Sequence, residues 1–127
     1  MAQFDRHYTI QEANALLPEI REILAELRAA RSQLVEDWRR AQPVLRAAPR
    51  NGGGAEASDY VTDLRALSDR LRWFSERSII LKDIDRGLVD FPALRNEDEV
   101  LLCWEDREDR VAYWHDFEAG YAGRQPW

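Results

Sequence analysis

His115 and Asp116 stand side by side near the end of the chain, in "RVAYWHDFEAGYAGRQPW" (residues 110–127). A histidine serves as acid, base or metal ligand near neutral pH, and a carboxylate can fix its tautomer. Neighbours on a strand point to opposite faces, so the two form a dyad only if the strand has already ended. The structural alternative has His115 capping the last strand and Asp116 N-capping the turn "FEAG". Asp90 is the second candidate. It lies between Val89 and Phe91 inside an apolar run, where a carboxylate needs a charged or hydrogen-bonding partner, and Arg124 is the partner expected. Arg124 follows Gly120 and Gly123, a setting that suits a bound carboxylate or phosphate as well as an internal ion pair. Asp90, His115, Asp116 and Arg124 therefore make up the candidate ligand site.

Other groups read more simply. Asp83, Asp85 and Asp90 flank one turn, where carboxylates can hold a divalent cation, but they do not follow the alternation of an EF-hand and suit turn formation better. Cys103 is the single cysteine, which excludes an intrachain disulfide and a multi-cysteine zinc site. It reads as a buried structural thiol. A mixed site of Cys103, His115 and a carboxylate requires a strand register other than the one expected below. No serine nucleophile motif, dinucleotide fingerprint or His-Glu-x-x-His pair is present, so neither a cofactor nor a particular metal is indicated.

The elements that must position these groups fall into two kinds. From Thr9, with Glu12 three residues on, a capping box opens a helix at Ile10. Ile10, Ala13, Leu17, Ile20, Leu24, Leu27, Arg31, Leu34, Trp38, Ala41 and Leu45 then recur at three and four residues, a heptad stripe broken by Arg31 and widened by Leu16 and Ile23. Pro18 predicts a kink or break, and Pro43 an end. Pro49 and Gly52-Gly53-Gly54 mark a loop that lacks the rest of a P-loop pattern. A second helix follows from an N-cap at Ser58, with Val61, Leu64, Leu67, Leu71 and Phe74 on one face. The stripe of the first helix is longer than the second can cover, which predicts a helical hairpin pairing with a second copy.

After Ser78 the pattern becomes β: "IILKDI", "GLVDFPAL", "EVLLCWE" and "RVAYWHD", separated by turn chemistry. Asp85-Arg86-Gly87 is a hairpin-type turn, and Pro92 places its strand at an edge or bulge. If residues 106–109 form a tight turn, Glu105 faces Arg110, Cys103 faces Ala112, Leu101 faces Trp114 and Val100 faces His115. Both faces of the sheet are then apolar, and the aromatic C-terminal segment is the natural cover for the one the helices leave bare.

The expected fold is α+β: a single domain over residues 1–127, with a long antiparallel helical hairpin (10–77) followed by a small antiparallel sheet of three to four strands and a C-terminal segment (78–127). Its 127 residues carry a formal charge of −6, which disfavours nucleic acid and anionic membranes as partners. No apolar run reaches the length of a membrane span and the N-terminus has no secretory h-region, so a cytoplasmic address is expected.

The strings "TIQEANALLPEI", "KDIDRGLVDFPAL", "LCWE" and "YWHDFEAGYAGRQPW" together resemble a bacterial domain-of-unknown-function family, number twenty-two-oh-three. The resemblance spans nearly the whole chain. It implies a small cytoplasmic protein of helical hairpin and sheet, and it implies no activity. On the residues themselves, the leading functional expectation is a non-enzymatic, homodimeric interaction module that also accepts a protein partner. The alternative is a small-ligand or metal-binding protein, enzymatic or not, with its site beside the sheet.

Overall fold

The computed structural model describes residues 2–47 and 54–127. Helix α1 runs Ile10–Ala47 and α2 Gly54–Ser75. They are followed by strands β1 (Ile80–Asp83), β2 (Leu88–Arg95), β3 (Asp98–Trp104), β4 (Tyr113–His115) and β5 (Gln125–Pro126). The class is α+β as expected, with five strands in place of three to four. The additional strand is β5, too short to give a sequence signal. The expected loop at Gly52-Gly53 lies outside the described residues. Residues up to Leu24 with Trp73–Trp127 form one compact unit, and Ala25–Arg72 form another.

The first turn of α1 is closed as its capping box predicts. The Thr9 hydroxyl accepts from the Glu12 N–H at 3.0 Å, and the Glu12 carboxylate accepts from the Thr9 N–H at 2.9 Å. Neither proline stops this helix. Pro18 is exposed while Leu17 and Ile20 on either side are buried, so packing carries the helix past one missing backbone bond. Pro43 is followed by four more helical residues. α2 starts at Gly54, four residues before the expected cap at Ser58.

In the first unit, Ala13, Leu17, Ile20, Leu24, Phe74, Ile79, Val89, Phe91, Leu102 and Trp104 are all closed to solvent and make up its core. Ring contacts tie the start of the chain to one face of the sheet: Tyr8 meets Phe91 edge-on at 5.6 Å, and the Arg21 guanidinium lies 5.3 Å from the Trp104 ring. In the second unit, Trp38 stacks against Tyr60 at 5.3 Å and Arg70 pairs with Glu26 at 3.1 Å. Here the heptad stripe is not the buried line throughout. Asp37 is buried, held by Gln33 and Arg40, while Trp38 is 43% exposed.

The sheet is antiparallel throughout, in the order β1-β2-β3-β4-β5. Gly87 takes φ 62° in the β1–β2 turn, as "DRG" predicts, and Asn96-Glu97, both at positive φ, close β2 onto β3 in two residues. Pairing of β1 with β2 stops at Asp90, so Pro92 lies beyond it on a bare stretch of edge, where its carbonyl accepts the Tyr8 N–H at 2.7 Å.

The β3–β4 register differs from expectation. Leu101 faces His115, Leu102 faces Trp114 and Cys103 faces Tyr113. The tight turn at 106–109 is instead a wide connection from Glu105 to Ala112. Trp104 donates its indole N–H to the Glu108 carbonyl at 3.0 Å, and the Glu108 carboxylate accepts the Glu105 N–H at 2.9 Å. Asn14 of α1 grips Val111 at two points: its amide oxygen accepts the Val111 N–H at 2.7 Å and its amide nitrogen donates to the Val111 carbonyl at 3.2 Å. These contacts shift the pairing by one residue, and a one-residue shift moves every side chain to the other face.

Candidate metal centre

The corrected register gathers what the expected one kept apart. Asp90 on β2 faces Cys103 on β3, which faces Tyr113 on β4, and His115 lies two residues further along the same face. One ligand atom from each of Asp90, Cys103 and His115 lies within 4.8 Å of the other two, and all three side chains are buried. No other such group of three occurs among the described residues.

The hydrogen bonding fixes the chemistry of the imidazole. His115 Nδ1 is 2.7 Å from the Asp116 carbonyl. A carbonyl only accepts, so Nδ1 carries the proton. In the neutral ring Nε2 then presents its lone pair, 3.2 Å from Asp90 Oδ2. That contact is not in hydrogen-bond geometry, and no N–H or O–H donor is in hydrogen-bond geometry with either oxygen of the fully buried Asp90 carboxylate, whose neighbours are the Cys103 thiol and the Lys82 ammonium. Lys82 Nζ comes to 2.7 Å from Oδ2 as an ion pair, off the line of a hydrogen bond. Buried polar atoms without partners are uncommon and costly. Two donors about 2.0–2.1 Å from a tetrahedral cation stand about 3.3 Å apart, close to the Nε2–Oδ2 separation.

Cys103 is unsuited to nucleophilic work in this setting. Burial first, and then the negative charge of Asp90, push its thiol up to about 12, only partly opposed by the Arg124 guanidinium beside it. A thiol so held is inert toward electrophiles, but a coordinating cation removes its proton outright.

Arg124 does not pair with Asp90 as expected. It forms a two-point fork with Glu108, at 2.9 and 2.7 Å, and its guanidinium is sandwiched between Tyr113 (4.2 Å) and Tyr121 (4.3 Å). Charge and hydrogen bonding from Glu108 raise its pKa above the already high ordinary value. The C-terminal segment thereby covers the face that carries Cys103. Gly123 serves this fold rather than a ligand: a Cβ there would meet the Ala119 Cβ at 2.6 Å. Tyr121 donates to Glu105 at 2.9 Å, and with Arg86 and Arg107 it holds that carboxyl down at about 2, the Arg86 bond being the largest cause.

Asp116 has the structural role its alternative reading gives it. Its side chain is exposed and accepts the N–H groups of Glu118 and Ala119 at 3.0 and 2.7 Å. It reaches the cluster only through its backbone carbonyl on His115 Nδ1, the outer partner that metal-bound histidines usually have. Asp83 likewise forms its turn, accepting the Arg86 N–H. Of the four residues singled out from sequence, Asp90 and His115 come together, Asp116 orients one of them, and Arg124 sits beside Cys103. Lys82 and Cys103 are the additions. Lys82 had no sequence signal beyond its two-residue spacing from Ile80 along β1.

No curated protein and no solved structure matches the chain. A family model described as "Uncharacterized conserved protein (DUF2203)" matches residues 6–127, nearly the whole chain, and the protein belongs to that family.

Proposed function

We propose that this protein binds one transition-metal cation, zinc by the character of its donors, between Asp90 Oδ2, Cys103 Sγ and His115 Nε2. One observation carries the reading: a buried carboxylate with no N–H or O–H donor in hydrogen-bond geometry faces the unpartnered Nε2 of a buried imidazole, with a thiol in the same cluster. A cation satisfies all three at once. Mixed nitrogen, sulfur and oxygen donors suit zinc, and the Asp116 carbonyl supplies the second contact that fixes the histidine tautomer. A reducing, cytoplasmic compartment suits a site that needs Cys103 unoxidised.

The test is cobalt(II) loading of protein purified without chelator and then stripped. One equivalent per chain should give a thiolate-to-cobalt charge-transfer band and tetrahedral d–d absorption. Cys103→Ser should remove the band, and His115→Ala should weaken binding. A chain that folds but gives no band with cobalt or zinc competition refutes the reading.

A second reading, compatible with the first, is self-association. In the Ala25–Arg72 unit, Val35 and Trp38 of α1 and Val61, Leu64 and Leu71 of α2 are each 40–50% exposed. The Trp38–Tyr60 and Glu26–Arg70 contacts support an antiparallel hairpin of the two helices, and a second copy covering its apolar side chains makes a homodimer.

A further inference from the structure

We infer that the fourth position of this cation takes a small monoanion from solution, with Lys82 as its charge partner. The inference rests on the metal reading and adds to it what the centre binds.

Three protein donors leave one position of a tetrahedral cation for an outside ligand. The charges of the site decide what kind. A divalent cation is neutralised by the Asp90 carboxylate and the Cys103 thiolate, and His115 binds as a neutral imidazole. The Arg124 guanidinium is already matched by Glu108 through two short bonds. Lys82 is different. Its ammonium group lies 2.7 Å from Asp90 Oδ2, its one ion pair among the described residues. Once Asp90 gives its charge to the cation, the ammonium stands beside a neutral centre with no counter-charge. A ligand carrying one negative charge restores the balance, and a neutral or cationic ligand does not.

Access and size agree with this choice. Asp90 and His115 side chains have no exposure, whereas 37% of the Lys82 side chain is exposed. An anion approaching the cation beside this ammonium is attracted, and a cation is repelled. The burial of all three donors favours a small occupant, so the ligand class is hydroxide, a small inorganic anion or a short carboxylate.

The experiment uses the full chain loaded with cobalt(II) and titrated with azide, read from the d–d bands. A saturable spectral change is expected, with the thiolate-to-cobalt band retained throughout. Lys82→Met should keep that band and weaken azide binding by about tenfold or more, the equivalent of ~1.4 kcal/mol. Lys82→Arg, which keeps the charge, should restore most of it. An azide titration that leaves the d–d bands unchanged, or equal azide affinity in Lys82→Met, overturns the inference and leaves the metal centre standing. Absence of the thiolate-to-cobalt band at the outset overturns the metal reading and this inference with it.

Discussion

Replacing Asn14 with alanine tests the contact that sets the β3–β4 register. Asn14 lies on α1, and its amide makes both a donated and an accepted bond with Val111, a residue whose backbone is pulled into a buried position. The substitution removes these two hydrogen bonds and a third, donated by the same amide nitrogen to the Ile10 carbonyl at 3.0 Å, each worth about 1 kcal/mol net, and strands a buried N–H at a further ~1–3 kcal/mol. Alanine recovers about 0.5 kcal/mol through its higher helix propensity. The expected net loss is about 3.5–5.5 kcal/mol, which for a chain of this size lowers the melting temperature by roughly 10–20 °C. Asn14→Asp keeps the acceptor for the Val111 N–H but sets a carboxylate against the Val111 carbonyl, so it should not rescue stability. Thermal melts give the total, and hydrogen exchange at the Val111 amide locates it, because that amide should lose protection while those of β2 keep theirs. A loss below about 0.5 kcal/mol, or unchanged exchange at Val111, would mean that the connection is held by Trp104 and Glu108 alone.

Acid unfolding should reveal Glu105. Its folded pKa lies near 2, well below the ordinary 4.5, so its ion pairs stabilise above about pH 4.5, and that contribution is lost as pH falls toward 2. Arg86 and Arg107 are substantially exposed, which reduces the ceiling of ~3 kcal/mol to about 1–2. In urea titrations with chelator present, Glu105→Gln should be less stable than the parent at pH 7 and equal to it at pH 2, whereas a constant gap would point to packing. Light scattering at micromolar concentration should give a dimer mass for the parent chain and a monomer mass for Trp38→Lys/Val61→Lys, and a monomeric parent would end the self-association reading.

Much of the fold was legible because it is written in local chemistry. Thr9 and Glu12 announced the start of α1, the three-four stripe announced its length, and Gly87 announced the first hairpin. Pro43 did not end α1, and no break occurs at Pro18, because a proline costs one backbone bond while the apolar stripe is worth several. Asp90 stood out as a carboxylate in an apolar strand, but its partner was misassigned. The partner depends on register, and register depends on the connection after Trp104, which Asn14 holds from 97 residues away. Cys103 and His115 were judged to face apart for the same reason. One residue of slip separated a structural thiol from a donor set. No spacing rule announces candidate ligands drawn from three strands, since their separations follow connection lengths rather than any period.

The bare stretch of β2 beyond β1 has a consequence for how copies of this protein meet. An unpaired strand edge is a template on which another chain can add itself and so begin an aggregate. Here Pro92 offers no donor, and the Tyr8 N–H already occupies its carbonyl. The outer strand β1 is four residues long with Lys82 on it, and the opposite outer strand is two residues ending in Pro126. Both rims of the sheet are thus poor seeds for strand addition. The opening residues of the chain, which carry no candidate ligand, act as a stopper against runaway sheet growth. Removing them should leave Asp90, Cys103 and His115 in place while making the protein more prone to aggregate on storage.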